Sequence, residues 1–157
     1  MRKLLVVIII LAALAPAAQA WEARVVGVAD CDTITVEPVQ GGARTKVRLH
    51  GIDCPELNQP YGRTANGFVQ DVALWQTVEV QVTPQGQDQY GRTVAVVVMS
   101  NGKSLQELLL EAGLAWVYPQ YCKNCGEWEA LQKQAQNESK GLWADKSPVA
   151  PWKWRKR

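Results

Sequence analysis

Five short strand-like runs follow one another between residues 25 and 99, and turn signals separate several of them. They cover residues 25–28, 33–36, 46–50, 78–82 and 93–99. Apolar and polar residues alternate with a period of two in the third and fourth runs, as in half-buried strands. Short runs at this spacing are typical of a small barrel rather than of a parallel sheet.

Three helical patterns interleave with or follow these runs. Apolar residues in the segment 65–72 recur at i, i+3, i+4 and i+7, which places them on one helix face. Ser104 and Glu107 form an S-x-x-E capping box ahead of a second apolar helix. Segment 128–135 carries a third apolar face. The sequence therefore predicts an α+β domain, a five-stranded barrel with three helices.

The first twenty residues have the pattern of a secretory signal peptide. Arg2 and Lys3 precede an apolar stretch over residues 4–15, and Ala18-Gln19-Ala20 is a small-x-small cleavage signature. The apolar stretch is shorter than the roughly 20 residues that span a bilayer. We therefore expect an exported protein, periplasmic or secreted, that keeps no membrane anchor after cleavage.

The rest of the chain is predicted to be one domain over residues 21–145, followed by a basic, Trp-containing tail over residues 146–157. We expect this tail to be poorly ordered. Without Arg2 and Lys3, the 17 basic residues fall to 15 and equal the 15 acidic ones. A broadly basic surface for nucleic acid is therefore absent, so a polyanion would need local contacts or a metal ion. The single histidine, His50, excludes sites built on two or three histidines.

Three stretches concentrate the residue types that carry chemistry. They are residues 30–33 (D-C-D-T), 48–56 (R-L-H-G-I-D-C-P-E) and 88–92 (D-Q-Y-G-R). Taken singly, each is more simply interpreted as a turn, because Asp and Gly are what turns use. Their combination carries the functional prediction.

In order and separation, the three stretches resemble the D-G-D-T, R-L-x-x-I-D-x-P-E and D-x-Y-G-R elements of the staphylococcal-nuclease-like thermonucleases. The resemblance spans nearly the whole predicted mature chain. It implies an OB-type five-stranded barrel with three helices. It also implies a Ca²⁺-dependent phosphodiesterase of the endonuclease type, which hydrolyses DNA and RNA without sequence preference to 3′-phosphate products. We expect this enzyme to be a monomer.

The resemblance also implies a calcium site. Asp32 and Asp53 correspond to carboxylate ligands, and Cys54 takes the place of a residue that contributes its backbone carbonyl. Oxygen ligands of this kind suit a hard cation such as Ca²⁺.

The remaining site residues follow from the same resemblance. Arg48 and Arg92 correspond to arginines that clamp the scissile phosphate, and guanidinium groups match phosphate oxygens two at a time. Glu56 corresponds to the carboxylate usually assigned as general base. Tyr90 and Tyr121 resemble tyrosines that contact phosphate or nucleotide.

The four cysteines, an even number in a chain predicted to be exported, favour disulfides. Cys31 precedes Asp32 and Cys54 follows Asp53, and the resemblance places those two aspartates on one ion. Their flanking cysteines should then lie within the about 4.4–6.8 Å between Cα atoms that a disulfide allows. Of three connectivities, we therefore predict Cys31–Cys54 with Cys122–Cys125, the first bridge joining the two ligand loops.

The sequence is also compatible with a second function. The chain could be a non-catalytic OB-type module that binds single-stranded nucleic acid. Retention of three carboxylates and two arginines favours the enzyme, because a binding module has no use for a general base.

Overall fold

The computed structural model describes residues 19–123 and 125–157 of the chain. Residues 1–18 of the predicted signal peptide lie outside the described residues. Within the described ranges, no helix is long and apolar enough to cross a membrane.

Within the described residues, five strands close into a barrel in the order β1-β2-β3-β6-β5, and two further strands form a small separate sheet. The strands are β1 (Ala20–Asp30), β2 (Thr33–Pro38), β3 (Thr45–Leu49), β4 (Ile52–Asp53), β5 (Thr77–Gln87), β6 (Thr93–Val98) and β7 (Trp116–Val117). Neighbouring barrel strands are antiparallel except β3 and β6, which run parallel. The predicted five-stranded barrel is confirmed.

The barrel interior is filled by small branched side chains from alternate positions. On β3, Val47 and Leu49 are buried, whereas Lys46 is exposed and Arg48 half-buried. This alternation follows from the period of two in a strand, which sends neighbouring side chains to opposite faces. Arg48 is therefore directed away from the core by the same pattern that buries its neighbours.

In the part of the chain that the structure describes, four α-helices and one 3-10 turn surround the barrel. They are α1 (Gly62–Ala73), α2 (Leu105–Glu111), α3 (Gly126–Asn137), the 3-10 turn Gly141–Ala144, and α4 (Pro151–Trp154). The predicted capping box opens α2: the Ser104 hydroxyl accepts a hydrogen bond from the Glu107 N–H, and the Glu107 side chain accepts one from the Ser104 N–H. The three predicted helices correspond to α1, α2 and α3.

The small sheet of β4 and β7 was not predicted, because two-residue strands leave no periodic pattern. Ile52 pairs with Val117, and Asp53 pairs with Trp116. Ile52 is fully buried, so this sheet is fixed to the core. The pairing holds the backbone at Asp53 beside the barrel.

The C-terminal tail differs from our expectation of poor order. Residues Pro151–Trp154 form helix α4, and Ala150 and Pro151 are buried. The Trp152 ring stacks on Tyr118 with 5.0 Å between centroids and 13° between planes. The tail is ordered because its apolar residues find cover against an aromatic surface far away in the sequence.

Two glycines in α1 give a matched test of how the loop before this helix is held. A Cβ at Gly62 would overlap the Glu56 carbonyl oxygen, whereas a Cβ at Gly67 would meet no atom within 4 Å. We predict that Gly62→Ala lowers the free energy of unfolding by about 1–3 kcal/mol through overpacking. Gly67→Ala should raise it by up to about 1 kcal/mol through helix propensity. Urea denaturation of both variants measures the difference, and equal stability would contradict the packing described for Glu56.

Candidate active site

All eight residues that the sequence predicted for metal, phosphate or nucleotide contact line one cavity of about 790 Å³. They are Asp32, Arg48, Asp53, Cys54, Glu56, Tyr90, Arg92 and Tyr121. They come from the turn between β1 and β2, from β3, from β4 and the loop after it, from the β5–β6 turn, and from the segment after β7. The structure therefore brings together residues that are up to ninety positions apart in the chain.

Asp32 and Asp53 converge on the guanidinium of Arg48. Arg48 Nη2 lies 3.1 Å from Asp32 Oδ2 and 3.4 Å from Asp53 Oδ1. Arg48 Nη1 donates to the carbonyl oxygens of Leu49, at 2.6 Å, and Ile52, at 2.9 Å. Because the backbone holds one nitrogen of the guanidinium, the other faces both carboxylates in a fixed position.

The two carboxylates are almost inaccessible to solvent, with exposed fractions of 7% for Asp32 and 2% for Asp53. Asp32 also accepts hydrogen bonds from the Cys54 N–H, at 3.0 Å, and from the Thr33 hydroxyl, at 3.2 Å. Burial and the charge of Asp32 raise the pKa of the neighbouring Asp30 to about 6. Negative charge is therefore concentrated at this end of the barrel.

Both predicted disulfides are present. Cys31 and Cys54 are joined with 6.0 Å between their Cα atoms, and Cys122 and Cys125 are joined with 5.5 Å. The first bridge links the turn that carries Asp32 to the loop that carries Asp53. It is buried at both ends.

Arg92 enters the cavity from the turn between β5 and β6. Its Nε donates to Asp88 Oδ2 at 2.7 Å, and its Nη1 donates to the Thr33 hydroxyl at 3.0 Å. Burial acts to raise the pKa of Asp88, but hydrogen bonds from Arg92 and Tyr90 outweigh it and hold this pKa below its ordinary value. Since Thr33 also bonds Asp32, Arg92 is connected to the carboxylate pair.

Two tyrosines lie at the outer part of the cavity. The Tyr90 ring is exposed, and the Arg92 guanidinium lies 5.4 Å from its centroid. Tyr121 is exposed as well and packs edge-on against Tyr118 with 5.1 Å between centroids. Exposed aromatic rings are suited to contact with a nucleotide, and Tyr90 has a cationic group beside it.

Glu56 lies on the loop before α1, where its backbone N–H donates to Gln59 Oε1 at 3.1 Å. Its carboxylate accepts a hydrogen bond from Arg155 Nη1 at 2.6 Å, and the same guanidinium donates from Nη2 to Asp53 Oδ2 at 2.7 Å. Sequence analysis missed Arg155. The sequence shows Trp and basic residues alternating in the tail. It does not show that Arg155 contacts Asp53 and Glu56, because these residues lie far away in the chain.

The donor set fits a hard divalent cation. Two buried carboxylates already converge on one positive group, and the backbone of Cys54 adjoins them. In residues 19–123 and 125–157, no group of three or more His, Cys, Asp or Glu side chains is arranged to hold a metal ion. A cation would therefore need backbone or water oxygens beside Asp32 and Asp53, as Ca²⁺ readily accepts.

Comparison with known proteins identifies a related family. The family model described as staphylococcal nuclease homologue matches residues 46–145. The chain is 39% identical over 134 residues to an uncharacterized endonuclease of Escherichia coli, covering 85% of this chain and 84% of that one. It is 35% identical over 134 residues to an uncharacterized endonuclease of Haemophilus influenzae, covering 85% and 72% respectively. Its identity to a micrococcal nuclease of Shigella flexneri is 33% over 150 residues, covering 90% and 84%.

The two disulfides should contribute unequally to stability. Their sequence separations are 23 and 3 residues, so the loop-entropy model gives roughly 3 kcal/mol for Cys31–Cys54 and roughly 2 kcal/mol for Cys122–Cys125. We predict that replacing Cys31 and Cys54 together by alanine lowers the unfolding free energy more than replacing the second pair. Chemical denaturation of both double variants measures this, and the reverse order would refute the role given to the first bridge.

Proposed function

The chain belongs to the family of staphylococcal nuclease homologues, and from this premise we propose that it is a Ca²⁺-dependent nuclease. We infer that it hydrolyses phosphodiester bonds of DNA and RNA to 3′-phosphate products. The observation that carries the proposal is the shared cavity: a buried carboxylate pair, two anchored arginines and a further carboxylate, Glu56, face one space. A module that only binds nucleic acid would use the arginines but has no need of Glu56.

In this proposal Asp32, Asp53 and the Cys54 carbonyl hold the calcium ion. When bound, the ion supplies positive charge that neutralises the phosphoryl group under attack. The contribution of the protein is to hold two carboxylates close together before the ion arrives. The Arg48 guanidinium and the Cys31–Cys54 bridge support this, because both connect the two loops that carry the ligands.

Arg48 and Arg92 bind the non-bridging oxygens of the scissile phosphate. Both guanidinium groups are held by hydrogen bonds to protein oxygens, Arg48 by backbone carbonyls and Arg92 by Asp88 and Thr33. Donors that are already oriented stabilise charge that develops in the transition state without having to reorganise. This pre-orientation supports a role in catalysis rather than in loose electrostatic attraction.

Glu56 acts as the general base. Its carboxylate removes a proton from water, the water oxygen attacks phosphorus, and the bond from phosphorus to the 5′ oxygen breaks. The 5′ oxygen gains a proton, so the products are a 3′-phosphate and a 5′-hydroxyl. Glu56 lines the cavity and its side chain is partly exposed, which supports this role, since a base must reach a water molecule.

Substrate choice follows from what the cavity offers. In this proposal its charged groups bind phosphate, and phosphate contacts carry no information about base sequence. Tyr90 and Tyr121 add exposed rings that any base can contact. We therefore infer little sequence preference and cleavage of both DNA and RNA. The two disulfides support an enzyme that works in an oxidising compartment, in line with export. We also infer that the enzyme acts as a monomer.

The experiment that tests this function is hydrolysis of DNA and RNA by the purified protein with Ca²⁺ or with excess chelator. We predict cleavage of both substrates with Ca²⁺ and its loss in chelator, because charge on the phosphate is then left uncompensated. End-group analysis of the products should find 3′-phosphates. Full activity in chelator, or products bearing 5′-phosphate, would contradict the mechanism.

Variants at the two proposed catalytic groups should separate chemistry from folding. We predict that Arg92→Ala and Glu56→Gln each lower kcat by about a hundredfold or more, since each removes a contact made in the transition state.

Arg44→Ala and Glu37→Gln are the matched controls. These two residues pair with each other at 3.8 Å on the exposed surface and do not line the cavity. The controls should keep wild-type rates. Folded Arg92→Ala with activity within about tenfold of wild type, or ~1.4 kcal/mol of barrier, would refute its role.

A further inference from the structure

The C-terminal tail places a third guanidinium in the cavity. Arg155 bridges two carboxylates, with Nη2 2.7 Å from Asp53 Oδ2 and Nη1 2.6 Å from Glu56 Oε1. Nη1 also donates to Asp53 Oδ1 at 3.3 Å. One planar group thus sets the distance between the proposed metal ligand and the proposed general base.

The tail that carries Arg155 is fixed to the domain at several points. The Trp154 indole N–H donates to Asn58 Oδ1 at 3.2 Å. The Gln59 side-chain amide donates to the Val149 carbonyl oxygen. Both Asn58 and Gln59 belong to the loop that also carries Glu56. The tail and this loop are therefore connected by two hydrogen bonds in addition to the one from Arg155.

Aromatic packing fixes the other side of the tail. Trp152 stacks on Tyr118 and packs edge-on against Trp116, with 5.0 and 5.8 Å between centroids. Pro151 and Ala150 are buried beside it. Dissociation of the tail from the domain would expose these apolar side chains to water, which costs free energy. The packed position of the tail beside the cavity is therefore favoured over a dissociated one.

Glu56 needs such a contact because little else holds its side chain. Within the described part of the chain, the hydrogen bond that reaches its carboxylate comes from Arg155. Even with Arg155 in contact, the Glu56 side chain is 38% exposed. An exposed carboxylate on a loop samples several rotamers, and a base that must face one water molecule loses rate when it does.

We propose that Arg155 is a positioning residue for Glu56 and Asp53, and that the C-terminal tail is a fixed part of the active site. The inference rests on the proposed nuclease function. Arg155 holds the Glu56 carboxylate at a set distance from the metal ligand Asp53, so that base and ion meet the same phosphate. Because Arg155 is itself a cation beside Asp53, it does not strengthen metal binding; its effect is on the arrangement of the carboxylates.

The test compares Arg155→Met, Arg155→Lys and the control Lys153→Met in the full protein. Lys153 is exposed on α4, two residues before Arg155, and does not line the cavity, so its replacement removes the same charge from the tail. We expect Arg155→Met to lower kcat by about a hundredfold, the size of effect seen when a catalytic group is misplaced by an ångström, with KM within about threefold. Arg155→Lys should fall between Met and wild type, because an ammonium keeps the charge but not the planar fork. Lys153→Met should keep wild-type rates.

Two further measurements separate positioning from other roles. Calcium binding to the protein without nucleic acid, followed by calorimetry, should be as tight in Arg155→Met as in wild type, or tighter. The thermal midpoint should stay within a few degrees. If Arg155→Met fails to fold, the proposal is tested with Arg155→Lys alone. In that variant kcat must fall while the thermal midpoint and the calcium affinity stay at their wild-type values.

Other outcomes overturn the proposal. Activity equal to or above wild type in Arg155→Met would make the tail an inhibitory latch. A higher KM with unchanged kcat would place Arg155 on the substrate. Parallel losses of activity, calcium affinity and thermal stability would make its role merely structural. A wild-type protein without nuclease activity would instead refute the proposed function, a result distinct from any loss that appears only in the variants.

Discussion

Two buried carboxylates at one end of the barrel, Asp32 and Asp53, face the same guanidinium, that of Arg48. An unpaired charge at such depth costs several kcal/mol, so this arrangement depends on the paired cations, Arg48 for both carboxylates and Arg155 for Asp53. Arg48 is placed by the strand pattern of β3, which buries Val47 and Leu49 and sends Arg48 outward. The charge distribution of the cavity thus depends on the same alternation that builds the core.

The surrounding structure fixes the loops that carry these charges. The Cys31–Cys54 bridge connects the β1–β2 turn to the segment after β4, and β4 itself pairs with β7. At the start of α1, Gly62 has no side chain, and this leaves room for the Glu56 carbonyl oxygen. Burial raises the pKa of Asp53, while the hydrogen bond from Arg155 and the charges of Arg155 and Arg48 lower it again in part. A site that concentrates negative charge in this way is suited to recruiting a divalent cation.

The sequence predicted much of this fold because its signals are local. Alternation within residues 46–50 and 78–82 identified two barrel strands, and the Ser104–Glu107 box identified the start of α2. The cysteine pairing followed from the family resemblance, which implies that Asp32 and Asp53 lie together. The two-residue strands β4 and β7 left no pattern to detect. Arg155 was missed for a different reason: its order depends on Asn58, Gln59 and Tyr118, which lie far away in the sequence.

We propose above all that Asp32 and Asp53 hold one calcium ion in the cavity that Arg48, Arg92 and Glu56 line. Anomalous diffraction from crystals grown with Ca²⁺ tests it most directly. We predict one anomalous peak within bonding distance of both carboxylates and of the Cys54 carbonyl oxygen, and no such peak in crystals of Asp53→Asn grown in the same way. A wild-type structure in saturating Ca²⁺ with no ion bound to Asp32 and Asp53 would contradict it.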